Sequence, residues 1–196
     1  MNVAETRRLL LRELTLDDLP GLAAILADPA VMRYSIGGVL SEVETRHFLE
    51  WTRALYRDEG FGPWAVVEKA TTALVGFCGL SPTTVNDKPE VHVGYRFARS
   101  FWGRGIATEA VTLVLDHAFG RRRLTGVVAL IEPDHRASQR VAEKAGFHLS
   151  GLAQYHGRAV RVYRQTRPAW QRERRRAAAG VSSGGGDATH RRDAPP

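Results

Sequence analysis

Gly103-Arg104-Gly105 stands between an alternating apolar stretch and a run of helix-forming residues, a placement suited to holding an anion. A helix start leaves its first amide N–H groups unpaired and carries partial positive charge, so a phosphate docks there readily. Glycines at this point remove the side chains that would block the approach. Ile106, Ala107, Ala110, Val111, Val114, Leu115 and Ala118 then recur at helical spacing, an apolar stripe that packs the helix on a sheet and aims its start. Two common phosphate binders are disfavoured. A dinucleotide fingerprint wants Gly or Ala where Thr108 stands and follows its strand directly, whereas Ala98 to Trp102 intervene here. A nucleotide-triphosphate loop needs Gly-Lys-Ser or Gly-Lys-Thr, which the chain lacks. Seven histidines are present without a His-Glu-x-x-His or Cys/His spacing, so no metal is expected. Cys78, within Val75-Gly-Phe-Cys-Gly-Leu80, reads as a small buried hydrophobe with no base beside it to activate the thiol.

The turn resembles the acyl-CoA loop of the GNAT superfamily of N-acetyltransferases, patterned as Gln or Arg, two residues, Gly, any residue, then Gly or Ala. Pro133-Asp134-His135-Arg136-Ala137-Ser138 and Glu143-Lys144-Ala145-Gly146-Phe147 are similar to that family's second motif. Trp102, Thr108-Glu109-Ala110 and Ser138 point to the branch of ribosomal-protein N-terminal (alanine) acetyltransferases, and the resemblance runs from about Thr6 to Arg167. It implies acetyl-CoA as cosubstrate, with Gly103, Arg104, Gly105, Ile106, Ala107 and Thr108 at the diphosphate. It also implies that the backbone of Phe97 and Ala98 meets pantetheine, and that His135 and Ser138 lie toward pantetheine and sulfur. The chain departs from the family pattern at three places: Ser100 stands at the Gln or Arg position with Arg99 one residue early, His135 replaces the usual asparagine, and Ala142 occupies the place of a tyrosine that protonates the thiolate.

Moving an acetyl group from a thioester to an amine needs a neutral amine, support for an oxyanion and a proton for the departing thiolate. Amines are mostly protonated at neutral pH, so a base or a water relay helps. Glu90, His92 and Gly94 share one strand face, opposite Val91 and Val93. His92 stands where the resemblance often places a carboxylate base, and an ordinary imidazole is mainly neutral at physiological pH. His92 is therefore the candidate base, Glu90 its substitute, and Ser138 or water the donor to sulfur. The plain alternatives are a hydrogen-bonded sheet histidine and a hydroxyl that satisfies a helix-start amide. Tyr34, Trp51, Trp64, Tyr155 and His156 line an acceptor pocket or pack, with the core favoured for the tryptophans.

These groups need a scaffold. Arg8 to Leu14 reads as a strand, Thr15 with Asp18 as a variant capping box opening a helix to about Asp28, and Ser41 with Glu44 as a capping box for a helix that Gly60 stops. Strands at Trp64 to Glu68 and Leu74 to Leu80 form a hairpin, and Glu90 to Phe97, the glycine turn, a helix to about Phe119 and Thr125 to Ile131 form a parallel strand-helix-strand unit. Ala137 to Ala145 is a helix closed by Gly146, and strands at His148 to Gln154 and Val160 to Gln165 flank Tyr155-His-Gly-Arg. The expected fold class is α/β (α+β): a mixed, mostly antiparallel central sheet with helices on both faces, the acyl-CoA N-acetyltransferase fold.

A chain of 196 residues with 43% hydrophobic content is long enough for one domain with a substantial core. One cysteine excludes an internal disulfide framework, no apolar run reaches the roughly 20 residues that span a bilayer, and Met1 to Leu14 is charged throughout, so a cytoplasmic, reduced protein is expected. Of the net charge of +7, residues 169–196 carry +3, from six arginines against three acids. The domain is expected over residues 1–168, followed by a disordered basic tail over 169–196 that reads as a solvated charge run; nucleic-acid binding is not expected. The function expected is direct acetyl transfer from acetyl-CoA to a primary amine in a ternary complex, the acceptor being a protein N-terminus or a small amine. A monomer or homodimer fits, with no membrane partner. A competing reading keeps the cradle without turnover, as an acyl-CoA-binding sensor or a ribosome-associated binding module, and Ala142 and His135 speak for it.

Overall fold

The computed structural model describes residues 1–182, so the last fourteen residues of the expected tail lie outside the described chain. Eight strands form one sheet: β1 (Asn2–Glu5), β2 (Leu9–Glu13), β3 (Pro63–Glu68), β4 (Leu74–Val85), β5 (Lys88–Phe97), β6 (Gly126–Ile131), β7 (His148–Tyr155) and β8 (Arg158–Thr166). They lie in the order β1-β2-β3-β4-β5-β6-β8-β7, and every neighbouring pair is antiparallel except β5 and β6. The helices are α1 (Leu19–Leu26), α2 (Pro29–Met32), α3 (Glu42–Asp58), α4 (Ile106–Asp116), α5 (Arg136–Lys144) and α6 (Arg167–Ser182).

Alternation along the strands divides the core into two layers. Leu9, Leu11, Trp64, Val66, Cys78 and Leu80 face α4 and α5, with Val111, Val114 and Phe147 closing that side. Ala65 and Phe77 point the other way, into Leu14, Leu22, Leu26 and Leu49 beneath α1 and α3. The expected mixed sheet covered on both faces is therefore what forms. Cys78 is fully buried, and burial pushes its thiol pKa up, which keeps it inert.

Local chemistry sets the ends of the elements. Ser41 Oγ accepts from the Glu44 amide at 3.2 Å while the Glu44 carboxylate accepts from the Ser41 amide at 2.7 Å, the reciprocal cap expected at the start of α3. At Thr15 the Asp18 carboxylate accepts from the Thr15 amide at 2.8 Å, but it opens a short 3-10 turn ahead of α1 rather than an α-helix. Pro29 does more than end α1: it opens α2, with Asp28 accepting from the Ala30 amide at 2.8 Å.

Three features depart from the sequence expectations. β4 and β5 run on through Asn86-Asp87, both at positive φ, which makes a long hairpin in register from Gly76↔Phe97 to Val85↔Lys88. β1 adds an edge strand on β2. Residues 167–182 are helical where a disordered tail is expected from residue 169. The physical reason is Trp170, whose ring packs 5.7 Å from Phe119 while its indole N–H donates to Asp116 at 3.0 Å, and Arg174 adds an ion pair to Asp116 at 3.0 Å. One aromatic anchor at the start of an arginine-rich segment supplies the burial that composition alone does not.

Candidate active site

The pairing of β5 creates the site. On one side it is held by β4 over ten residue pairs, whereas on the other it meets β6 at the single register His92↔Val128. Past that point β5 stays with β4 and β6 with β8, so a wedge opens between Gly94–Phe97 and Ala129–Ile131. The Ala98 amide donates to the Val75 carbonyl at 2.9 Å, which sets the phase of the ladder. Alternation then directs the backbone polar groups of His92, Gly94 and Arg96 to β4 and those of Tyr95 and Phe97 into the wedge. Of the two backbone positions expected to meet pantetheine, Phe97 thus has its amide toward the opening, while the Ala98 amide is already engaged. The Phe97 carbonyl accepts from the Trp102 indole at 2.8 Å, tying the strand end to the glycine turn.

That turn has the expected form. Gly103 and Gly105 adopt φ of 73° and 78°, the left-handed region that favours glycine, and Gly105 caps α4. A Cβ at Gly103 would meet no protein atom within 4 Å, so the residue borders open space. Among the described residues the amides of Gly103 through Thr108 have no backbone or side-chain acceptor. They look into a cleft of about 340 Å³ lined by Phe97, Gly103, Gly105, Ile106, Ala107, Thr108, His135 and Ser138. A row of unpartnered N–H groups at a helix start, opening on such a cleft, fits the diphosphate of a coenzyme A carrier. Glu109 fixes the helix start from behind, accepting from Thr6 Oγ1 and from the Arg8 guanidinium.

Arg104 is placed differently from the expectation. Its guanidinium pairs with Glu68 at 2.9 Å and lies over the Phe101 ring at 5.0 Å, so it braces the turn instead of lining the cleft. The cations that do line the cleft are Arg96 of β5 together with Arg140 and Lys144, the latter two one turn apart on α5. Their i, i+4 spacing was visible in the sequence, but facing the cradle is a tertiary fact.

Ser138 is buried in the first turn of α5, and its hydroxyl lies 2.6 Å from the Tyr95 hydroxyl. Tyr95 is not among the site residues expected from the sequence. A tyrosine hydroxyl from β5 thus stands beside α5, although Ala142 occupies the position on α5 where the family resemblance places one. Burial pushes the Tyr95 pKa up to about 12, partly offset by the Ser138 hydrogen bond, so the phenol keeps its proton at neutral pH.

His92 lies on the opposite face of β5. It borders the wedge cavity of about 140 Å³ and a second cavity of about 240 Å³ beyond the strand. Burial, then the Arg96 charge, push its pKa down to about 4, so it is a neutral imidazole at physiological pH. Glu90 shares that face but lines none of these cavities: Arg164 holds its carboxylate in a two-pronged pair, one arm at 3.0 Å. The structure therefore brings His92 to the site and leaves the substitute base outside it. His135 stacks on Tyr34 at 3.9 Å, and burial followed by Arg96 pushes its pKa down to about 4. Trp51 lines the second cavity and is 44% exposed, contrary to its expected place in the core, whereas Trp64 is 2% exposed. Tyr155 borders the wedge with its ring edge against His156. Among the described residues no group of three or more His, Cys, Asp or Glu is placed to hold a metal, and no helix is long and apolar enough to cross a membrane.

Comparison with known proteins gives the same picture. Residues 8–148 match the family model described as Acetyltransferase (GNAT) domain. YkkB of Bacillus subtilis (strain 168), an uncharacterised protein, is 35% identical over 136 residues, 69% of this chain and 78% of that protein. The uncharacterised N-acetyltransferase p20 of Bacillus licheniformis is 27% identical over 168 residues, 83% of this chain and 94% of its own length. Among solved structures, RimL, a ribosomal L7/L12 alpha-N-protein acetyltransferase in complex with coenzyme A, superimposes with a TM-score of 0.71 at 22% identity, covering 86% of this chain and 99% of that one.

Proposed function

Since the chain belongs to the GNAT acetyltransferase family and is an acyl-CoA-dependent N-acetyltransferase, we propose that it transfers acetyl directly to a primary amine, from a protein N-terminus or a small molecule, in a ternary complex. The observation that carries this reading is that β5 separates a cleft fitted to the donor from a second cavity on its other face, with Tyr95 lining both and His92 reaching the second. Acetyl-CoA supplies an activated carbonyl and a thiolate leaving group. The chain's own residues supply the rest.

The amides of Gly103 to Thr108, with Arg140 and Lys144, hold the anionic end of the donor. The Phe97 amide, turned into the wedge, is the donor available to the carbonyl oxygen as it gains charge. Arg96 and the apolar walls disfavour a protonated amine in the second cavity, so the acceptor binds as the neutral nucleophile. Its nitrogen forms a bond to the carbonyl carbon as the C–S bond breaks. The nitrogen then carries a surplus proton and is far more acidic than a free ammonium, so the neutral His92 imidazole takes that proton directly or through water. Ser138 gives its proton to the departing sulfur and is resupplied by Tyr95 at 2.6 Å. A covalent acyl-cysteine route has no support, since Cys78 is fully buried.

The test is mass spectrometry of peptide N-termini and small amines incubated with labelled acetyl-CoA. One mass increment of acetyl on an amine, with equimolar release of free CoA, is expected. Label on the protein itself as an obligatory intermediate would overturn direct transfer.

A further inference from the structure

The cavity beyond β5 carries a charge distribution that acetyl transfer does not require. Phe48, Trp51, Phe77 and Met32 give it aromatic and aliphatic walls, and no Asp or Glu lines it among the described residues. One full charge reaches it, the Arg96 guanidinium, which also borders the wedge and the donor cleft. Protein groups fix that guanidinium in place: Nε and Nη2 donate to Ser35 Oγ at 3.0 and 2.8 Å, and Nη1 donates to the Tyr95 carbonyl at 2.7 Å.

A guanidinium has five N–H donors. Two remain, one on each terminal nitrogen, with no acceptor among the described residues, and Arg96 is in none of the ion pairs those residues form. Deeply set charges are ordinarily paired, because an unpaired one loses its hydration without compensation. The surroundings register the uncompensated charge, since Arg96 depresses the pKa of both His92 and His135 after burial has done so. A guanidinium with a spare donor on each terminal nitrogen suits the two oxygens of a carboxylate.

We propose that Arg96 receives a carboxylate of the acceptor, so that the substrate is a small amine with an aromatic or aliphatic body and an anionic group, as in a free α-amino acid. This rests on the acetyl-transfer reading and narrows its acceptor. The apolar body packs against Phe48, Trp51 and Phe77, the carboxylate meets the guanidinium, and the amine faces His92, which lines the same cavity. A polyamine would find no carboxylate on these walls and would be repelled by Arg96.

The experiment uses matched pairs that differ only in the carboxylate, phenylalanine with phenethylamine and leucine with isoamylamine, plus spermidine as a polycation. Turnover is read as CoA release, and binding of the corresponding N-acetylated molecules to the full chain saturated with CoA is read by calorimetry. The carboxylate-bearing member of a pair is expected to bind about tenfold more tightly or better and to show the higher kcat/KM, in line with a charge-assisted two-pronged contact. In Arg96→Gln that preference collapses, and in Arg96→Lys part of it persists. Equal affinity within every pair, no binding by any pair, a preference for spermidine, or an unchanged preference in Arg96→Gln overturns the proposal. If Arg96→Gln fails to fold, the wild-type pairs still decide. Carboxylate-selective binding without turnover of any amine would count against the transfer reading while supporting Arg96 as the anion site.

Discussion

The two faces of β5 do opposite work with the same ten residues. Tyr95 and Phe97 turn toward the donor, where the surroundings are local and repetitive: a glycine turn, a helix start and the first turn of α5. His92 and Arg96 turn toward the second cavity, Arg96 bordering the wedge and the donor cleft as well, and the walls of that cavity come from α1, α2, α3, β3 and β4, successive elements in the first half of the chain. The donor face relies chiefly on backbone amides, which any residue supplies, and the second cavity chiefly on side chains. A common carrier with a fixed handle suits the first solution, and an individual substrate requires the second.

That contrast breaks most severely at Tyr95. Tyr95→Phe keeps the ring and removes the proton source, so kcat is expected to fall on the order of 100-fold, the lower range for a positioned acid, with the acetyl-CoA KM changed by less than about twofold. A parallel rise in KM would show that the hydroxyl only packs. On the same face, Gly105→Val forces a β-branched residue into the left-handed region and should weaken CoA binding by roughly tenfold or more, as titration calorimetry would measure. Unchanged affinity would place the carrier elsewhere.

The acceptor face is expected to respond more gently. His92→Gln should lower kcat by roughly tenfold at saturating amine while CoA affinity holds, because a base with a pKa near 4 accelerates proton transfer less than one matched to neutral pH. An effect on CoA binding alone would move His92 to the donor side.

The smallest effect is on stability. His92, His117 and His135 are each pushed down to about 4, with burial the leading cause, and both His117 nitrogens are buried without a partner among the described residues. Below the ordinary value of 6.5 the unfolded chain takes up protons that the folded one resists, so stability is full above that pH and declines as pH falls toward 4. Thermal melts should show Tm dropping through that window, and a flat profile would mean that these rings are solvated.

What the sequence made legible follows the same division. The cradle, the caps at Ser41 and Glu44 and the parallel unit around α4 were readable because each depends on residues within one turn or one strand. Tyr95 was within reach: the alternation that put His92 on one face put Tyr95 on the other, but Val91 and Val93 made that face look like plain core. Arg96 is in phase with His92, but nothing local in the sequence shows that an arginine lacks a carboxylate partner. Arg104 and Glu90 looked functional at their positions and proved to be engaged by Glu68 and Arg164, which lie 36 and 74 residues away in the chain. α6 was obscured by its arginines, since Trp170 acts only once Phe119 and Asp116 are beside it.

The hydrogen bond from the Trp102 indole to the Phe97 carbonyl ties the end of β5 to the start of the glycine turn like a strut. It fixes the separation between the place where the carrier's charged head is gripped and the place where its acyl end must arrive. The chain thereby acts as a ruler cut to one length of pantetheine arm. On the proposed seating of the carrier, each methylene added to the acyl group would project past the strand into the second cavity, so short acyl groups are expected to be favoured by measured length, without a dedicated gate.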